Sequence, residues 1–270
     1  MSVTPTKKRF APGFALRFSL SLTQKMAASS RRSDQGLTLI EGLVAIVVVS
    51  ITLVSITPPI FWATGTRVQN RRAEQALQLA QGEIDRVRTI VDQGQATRAL
   101  LPPPVAGAIL RGEGAVSVPA PSTPKAGIVT VNPGCPTANR YDGSQQEVSQ
   151  YIQINTDPNP GNSSDCSPNF LMQTFRSTGL DGNGNPITDS TTIPEGFVMG
   201  VRVYSIVAEP NLIGSKAETT QASLKGTNGL GNQLTRPLAV QYSTIVRSNA
   251  SKNLNLYRKL CSDTTGKGQC

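Results

Sequence analysis

The sequence predicts an α+β protein in which one long N-terminal helix, membrane-spanning in its first half, is followed by a β-rich head. Three observations predict it. Gly42 to Thr66 are 25 consecutive residues without a charge, an apolar stripe at helical spacing follows directly, and strand-like runs are confined to residues 127–247. With 270 residues, 38% of them apolar and 5% aromatic, one domain with appendages is the expected organisation. Its parts are a basic leader over 1–36, a transmembrane helix over 37–66, an amphipathic helix over 67–96 and a head over 97–270.

The leader holds seven basic residues, Lys7, Lys8, Arg9, Arg17, Lys25, Arg31 and Arg32, against one acid, Asp34, and so supplies most of the formal charge of +9. The other 234 residues carry nineteen basic and sixteen acidic side chains, a balance too small to suggest a nucleic-acid partner. Histidine is absent, which excludes His-based triads, His general bases and His zinc ligands.

As a helix, the uncharged run is roughly 37 Å long, enough for a hydrocarbon core of about 30 Å. Basic residues flank it on both sides, Arg31 and Arg32 before, Arg67, Arg71 and Arg72 after. The local bias is ambiguous, but counting the earlier Lys and Arg, the positive-inside rule favours an N-terminus in the cytoplasm and the head outside. A secretory signal peptide also pairs a basic start with an apolar run, but its apolar region is normally about 7 to 15 residues. A generic signal anchor satisfies the hydropathy equally well.

Beyond the span, Ala73, Ala76, Leu77, Ala80, Ile84, Val87 and Val91 recur at i, i+3, i+4, i+7, with Glu74, Gln78, Glu83, Asp85, Arg86 and Arg88 largely on other faces. No strong stop signal separates this stretch from the span, so one helix is expected from about Leu37 to Val91, kinked near Pro58 by the lost amide donor and the ring clash. Residues 101–127, rich in Pro, Ala and Gly, read as an extended linking loop. Strands are expected over Gly127–Asn132, Val148–Asn155, Phe170–Arg176, Phe197–Val207 and Leu238–Arg247, with Phe197, Met199, Val201 and Val203 sharing one face. Residues 211–235 read as a long loop, and Gly226-x-x-Gly229-x-Gly231 inside it lacks the strand and helix a phosphate loop needs.

Glu41 stands at the edge of the uncharged span. An ionised carboxylate entering hydrocarbon costs a few kcal/mol, so it calls for a partner or a functional reason. A cut between Gly36 and Leu37 would supply one. The new α-amino group would lie about 6 Å along the helix axis from Glu41, and amine and carboxylate could pair between neighbouring subunits.

Gly36-Leu37-Thr38-Leu39-Ile40-Glu41, behind basic residues and ahead of an apolar helix, resembles the processing motif of type IV prepilins. The resemblance implies a prepilin peptidase cutting after Gly36, N-methylation of Leu37, Glu41 as the assembly glutamate and Pro58 as a helix-kinking proline. It also implies a head built on an antiparallel sheet of four or five strands. Partners would be other pilins or pseudopilins, the peptidase, an inner-membrane assembly platform and the lipid bilayer. The function implied is that of a minor pilin or pseudopilin in a type IV pilus-like filament serving motility, adhesion or DNA uptake. A pseudopilin of a type II-like secretion system and a membrane-anchored adhesin share the N-terminal features. The stretch from Arg71 to Arg86 further resembles minor pilins of the PilV type. A leader of 36 residues is long for the family, and initiation at Met26 would leave an eleven-residue leader containing Arg31 and Arg32.

Cys135, Cys166, Cys261 and Cys270 all follow the apolar run and form no C-x-x-C pair, which suits disulfides in an oxidising compartment. Adjacent pairing would close one longer and one short C-terminal loop, and two other pairings are open. In pilins, a C-terminal disulfide loop often forms exposed surface, which suits Cys261 with Cys270. Asp181, Asn183, Asn185 and Asp189 place oxygen ligands as a Ca²⁺ loop would, but Pro186 stands where the turn Gly belongs and Thr192 where the closing Glu belongs. A Gly/Asn turn between strands is the competing reading. No cofactor is otherwise expected.

Overall fold

A computed structural model describes residues 38–105, 118–130, 135, 147–156, 166–188, 192–223, 232–248 and 253–261. The leader, Gly36, Leu37, Met26, Asp189, Cys270 and the glycines at 226, 229 and 231 lie outside the described residues, as do the side chains of 57–64, Pro58 included. The molecule separates into two units between Leu53 and Val54.

Helix α1 runs Leu39–Asp92. In the N-terminal unit it is a bare apolar rod. In the second unit its apolar stripe docks on the sheet. Ala76, Ala80, Ile84, Val87 and Val91 are buried against it, as the 3.6-residue period requires. Leu77, at the edge of the stripe, stays 38% exposed. Glu83, expected on an outer face, is fully buried, and its carboxylate accepts hydrogen bonds from the Arg86 guanidinium one turn on, at 2.7 Å from Nη2. Gly94 ends the helix. Its φ of 68° lets the Gln95 amide reach the Ile90 carbonyl and its own amide reach that of Val91, satisfying carbonyls the last turn would leave bare.

The sheet comprises β1 (Pro104–Val105), β2 (Thr123–Thr130), β3 (Gln150–Asn155), β4 (Phe170–Ser177), β5 (Gly196–Ser205) and β6 (Ala239–Val246). Its order is β2-β3-β4-β5-β6, with β1 beside β4. From β3 to β6 the pairings are antiparallel, as expected. The two outer pairings differ. β2 lies parallel to β3 and β1 parallel to β4, making the sheet mixed. The 19 residues from 131 to 149 are long enough to carry the chain back to the end where it began, which a parallel pair demands and a short hairpin cannot do.

Phe197, Met199, Val201 and Val203 do share one face, turned to α1 together with Ile152, Ile154, Phe170 and Met172. The opposite face is covered as well, so β4 and β5 are buried on both sides. Part of the cover is the supposedly irregular linker, through Val118 and β1. Another part is a turn of 3₁₀ helix over Ile206–Ala208 that runs into α2 (Glu209–Ile213), where the sequence suggested the end of β5. The third is a helix α3 (Asn253–Cys261) that was not expected, which buries Leu256 and Leu260.

Two residues of β5 organise that second face. Gly200 stands opposite Phe175 on one side and Tyr242 on the other, and a Cβ there would lie 2.4 Å from Phe175. Its absence lets the two rings meet edge to face at 6.1 Å. Arg202, fully buried, lies 4.8 Å above the Phe175 ring and donates to the Val118 and Pro119 carbonyls and to Gln173 Oε1. Gln173 also donates to Pro119 and to Val148. These bonds fasten the linker to the sheet. Elsewhere Glu209 accepts from Tyr151 Oη at 2.9 Å and from Gln153, and burial, reinforced by that carboxylate, raises the Tyr151 phenol well above its ordinary range. Burial pushes the Arg176 guanidinium down to about 10, with Arg98 adding like-charge repulsion.

Candidate functional site

The N-terminal end of α1 is the candidate site. Thr38 precedes the helix, and its carbonyl accepts the amides of Glu41 and Gly42 at 2.9 and 3.2 Å. Glu41 therefore sits in the first turn, where the helix dipole favours a carboxylate. Among the described residues it has no ion-pair partner. Gly36 and Leu37, which would provide the cut and the amine, lie outside the described residues.

The window Leu39–Ile56 has a mean hydropathy of 2.6, and none of it is buried inside the molecule. Leu39, Ile40, Leu43, Ile46, Ile51, Leu53 and Val54 are each more than half exposed. Its few polar side chains are consumed internally, Ser50 donating to the Ile46 carbonyl and Thr52 to that of Val49. A rod of this length and polarity is fit to cross a bilayer.

The loop singled out for calcium behaves as a self-contained turn. Asp181 Oδ1 accepts the backbone amides of Asn183 and Asn185 at 2.9 and 2.7 Å, and Oδ2 accepts the Asn185 side chain at 3.4 Å. Those bonds, the Asn185 amide first, hold the Asp181 carboxyl below its ordinary 3.8. The Lys259 ammonium, brought in by α3, donates to the Gly184 carbonyl at 2.9 Å. A cation would compete with that ammonium and with the amides. Asp189 lies outside the described residues.

Cys135 and Cys166 form a disulfide, with Cα atoms 5.6 Å apart. Cys261, buried at the end of α3, is also disulfide-bonded. Cys270 is outside the described residues. Sequence reasoning missed Glu83 and Arg202, and the signal for Arg202 was present: a single charge in the middle of the strongest strand.

Residues 31–57 match the family model described as the prokaryotic N-terminal methylation motif. That motif is the hallmark of type IV prepilin-like proteins, a family of structural subunits. It covers the basic residues, Glu41 and the apolar rod together, and with the sheet head it gives an α+β, pilin-like architecture. Neither the curated proteins nor the solved structures yield a match to this chain.

Proposed function

We propose that the protein is a minor pilin or pseudopilin, a subunit of a type IV pilus-like filament. The observation that carries this reading is the wholly unburied apolar rod Leu39–Ile56 with a lone carboxylate, Glu41, in its first turn, lying inside the matched motif. In the precursor the rod is held by the bilayer, with the head on the far side. A prepilin peptidase cuts between Gly36 and Leu37 at the cytoplasmic face, and Leu37 is N-methylated. The free ammonium of one subunit then pairs with Glu41 of a neighbour, and the rods exchange lipid for one another in the filament core. The chemistry is mechanical assembly, with no substrate turned over.

Mass spectrometry of the protein isolated from membranes tests it directly. The expected N-terminus is N-methylated Leu37; a protein that keeps its basic leader overturns the reading. Glu41→Ala should still insert and be cut yet fail to enter filaments. A deletion phenotype of lost motility or adhesion, against lost secretion, separates pilin from pseudopilin.

A further inference from the structure

We infer that Arg67, Arg71 and Arg72, the first charged residues after the uncharged run of α1, form a collar that binds the anionic headgroups of the bilayer. The second unit of the molecule opens inside that run, since Val54 to Thr66 carry no charge. α1 continues through Arg67 without a break. The uncharged run, roughly 37 Å as a helix, outlasts the hydrocarbon core of about 30 Å, so Arg67 emerges in the headgroup layer. The Cα–Cβ bonds of a helix tilt toward its N-terminus, here toward the membrane, which aims all three stems back at the lipid.

Each of the three is exposed, and among the described residues none makes a hydrogen bond or an ion pair. The next arginines along α1 are placed differently: Arg86 pairs with Glu83 and Arg88 with Asp85. Glu74, one turn past Arg71, is the nearest acid along the helix and makes no ion pair with it. Arg67 and Arg71 are one turn apart, opposite the buried Gln69, Ala73 and Ala76, so two like charges stand on neighbouring positions about 5 to 6 Å apart at Cβ. A phosphodiester between their forks replaces that repulsion with charge-assisted hydrogen bonds, for which the planar guanidinium is suited. Val68 is 55% exposed, and Val207 and Leu234, which line a hollow with Val68 and Arg72, are each 43% exposed. Exposed apolar groups beside arginines suit the boundary between acyl chain and headgroup, whereas a soluble anion would leave them in water. The ligand is therefore an anionic phospholipid of the leaflet that the helix leaves.

The collar rests on the membrane-spanning part of the function proposed above, not on processing or assembly. The test places p-benzoylphenylalanine at Val68 of the full chain, inserts the chain in vesicles of equal parts phosphatidylglycerol and phosphatidylcholine, and counts lipid adducts by mass spectrometry. Adducts to phosphatidylglycerol should outnumber those to phosphatidylcholine about fivefold at about 0.1 M salt and level out at about 1 M. Arg67→Gln, Arg71→Gln and Arg72→Gln together should bring the ratio to about one. They should leave melting in detergent unchanged, since the side chains are exposed and unbonded. Arg88→Gln, which removes a charge about 24 Å beyond Arg72 along the axis, should leave the ratio as it was. Equal adducts in the wild type, or a ratio that falls as far with Arg88→Gln, overturn the inference. So do adducts to polypeptide alone, which would make the collar a contact between subunits. A chain that keeps its leader in cells sinks the pilin reading yet gives the same ratio here. One that fails to float with the vesicles removes the span, and the collar with it.

Discussion

At Gly200, a missing side chain is what allows two aromatic rings to touch across three strands. Gly200→Ala would set a methyl 2.4 Å from Phe175 and 2.8 Å from Tyr242, so it should cost about 2 kcal/mol, read as a lower melting temperature of the detergent-solubilised chain. Two residues on, Arg202→Leu strips the Val118 carbonyl and Gln173 Oε1 of their donor, while the Pro119 carbonyl keeps the Gln173 amide. A loss of about 3 kcal/mol is expected, with the linker around 118–119 becoming the first site of proteolysis. Asp181 gives a pH-dependent counterpart. Its folded pKa is depressed, so its contribution is fully present above 3.8 and is lost as the pH falls below that value. The melting difference between wild type and Asp181→Ala should accordingly be visible at neutral pH and shrink toward zero in strong acid. Because the same carboxylate is spent on its own turn, millimolar Ca²⁺ is expected to leave the melting temperature unchanged.

On the scale of the element, α1 was the most legible part of the chain because its signal is local. A 3.6-residue repeat of small apolar residues can be read without knowing what it packs on. Small size matters here. Ala76 and Ala80 are fully buried, so Ala80→Leu should overpack the helix–sheet contact and cost about 2 kcal/mol, whereas Leu77→Ala, on the half-exposed edge, should stay within about 0.5 kcal/mol by the same melting assay. Strand β5 was legible for the same reason, its alternation being uninterrupted from Phe197 to Val203. Strand β1 was not, since two residues starting with Pro104 hold no period. Helix α3 carries a signal that was passed over: Leu256 and Leu260, one turn apart, are buried together with Cys261. Glu83 misled because propensity and periodicity describe faces, and a carboxylate can enter the buried face when an arginine one turn away accompanies it.

Across the whole molecule, the pairing of distant strands was the least legible feature. Nothing in the local pattern of β2 or β1 says which strand it will join or in which direction, and a long crossover is all that separates a parallel from an antiparallel answer. The candidate site, by contrast, is read locally. Glu41 and the apolar run were plain in the sequence, being six residues of motif and an unbroken stretch. The Cys135–Cys166 disulfide ties the crossover to the segment just ahead of β4 across a separation of 31 residues. Replacing Cys135 and Cys166 together by alanine should lower stability by about 2 to 4 kcal/mol, measured as the shift in melting against the wild-type chain.

The mixed sheet also sets a timetable. Contacts of β2 with β3 and among β3, β4, β5 and β6 join strands that follow one another along the chain, but β1 must wait for β4. The meander is thus the natural nucleus, and β1, first of the strands in the chain, is the last to find its place. During that delay the unpaired stretch is what a chaperone would hold and a protease would cut.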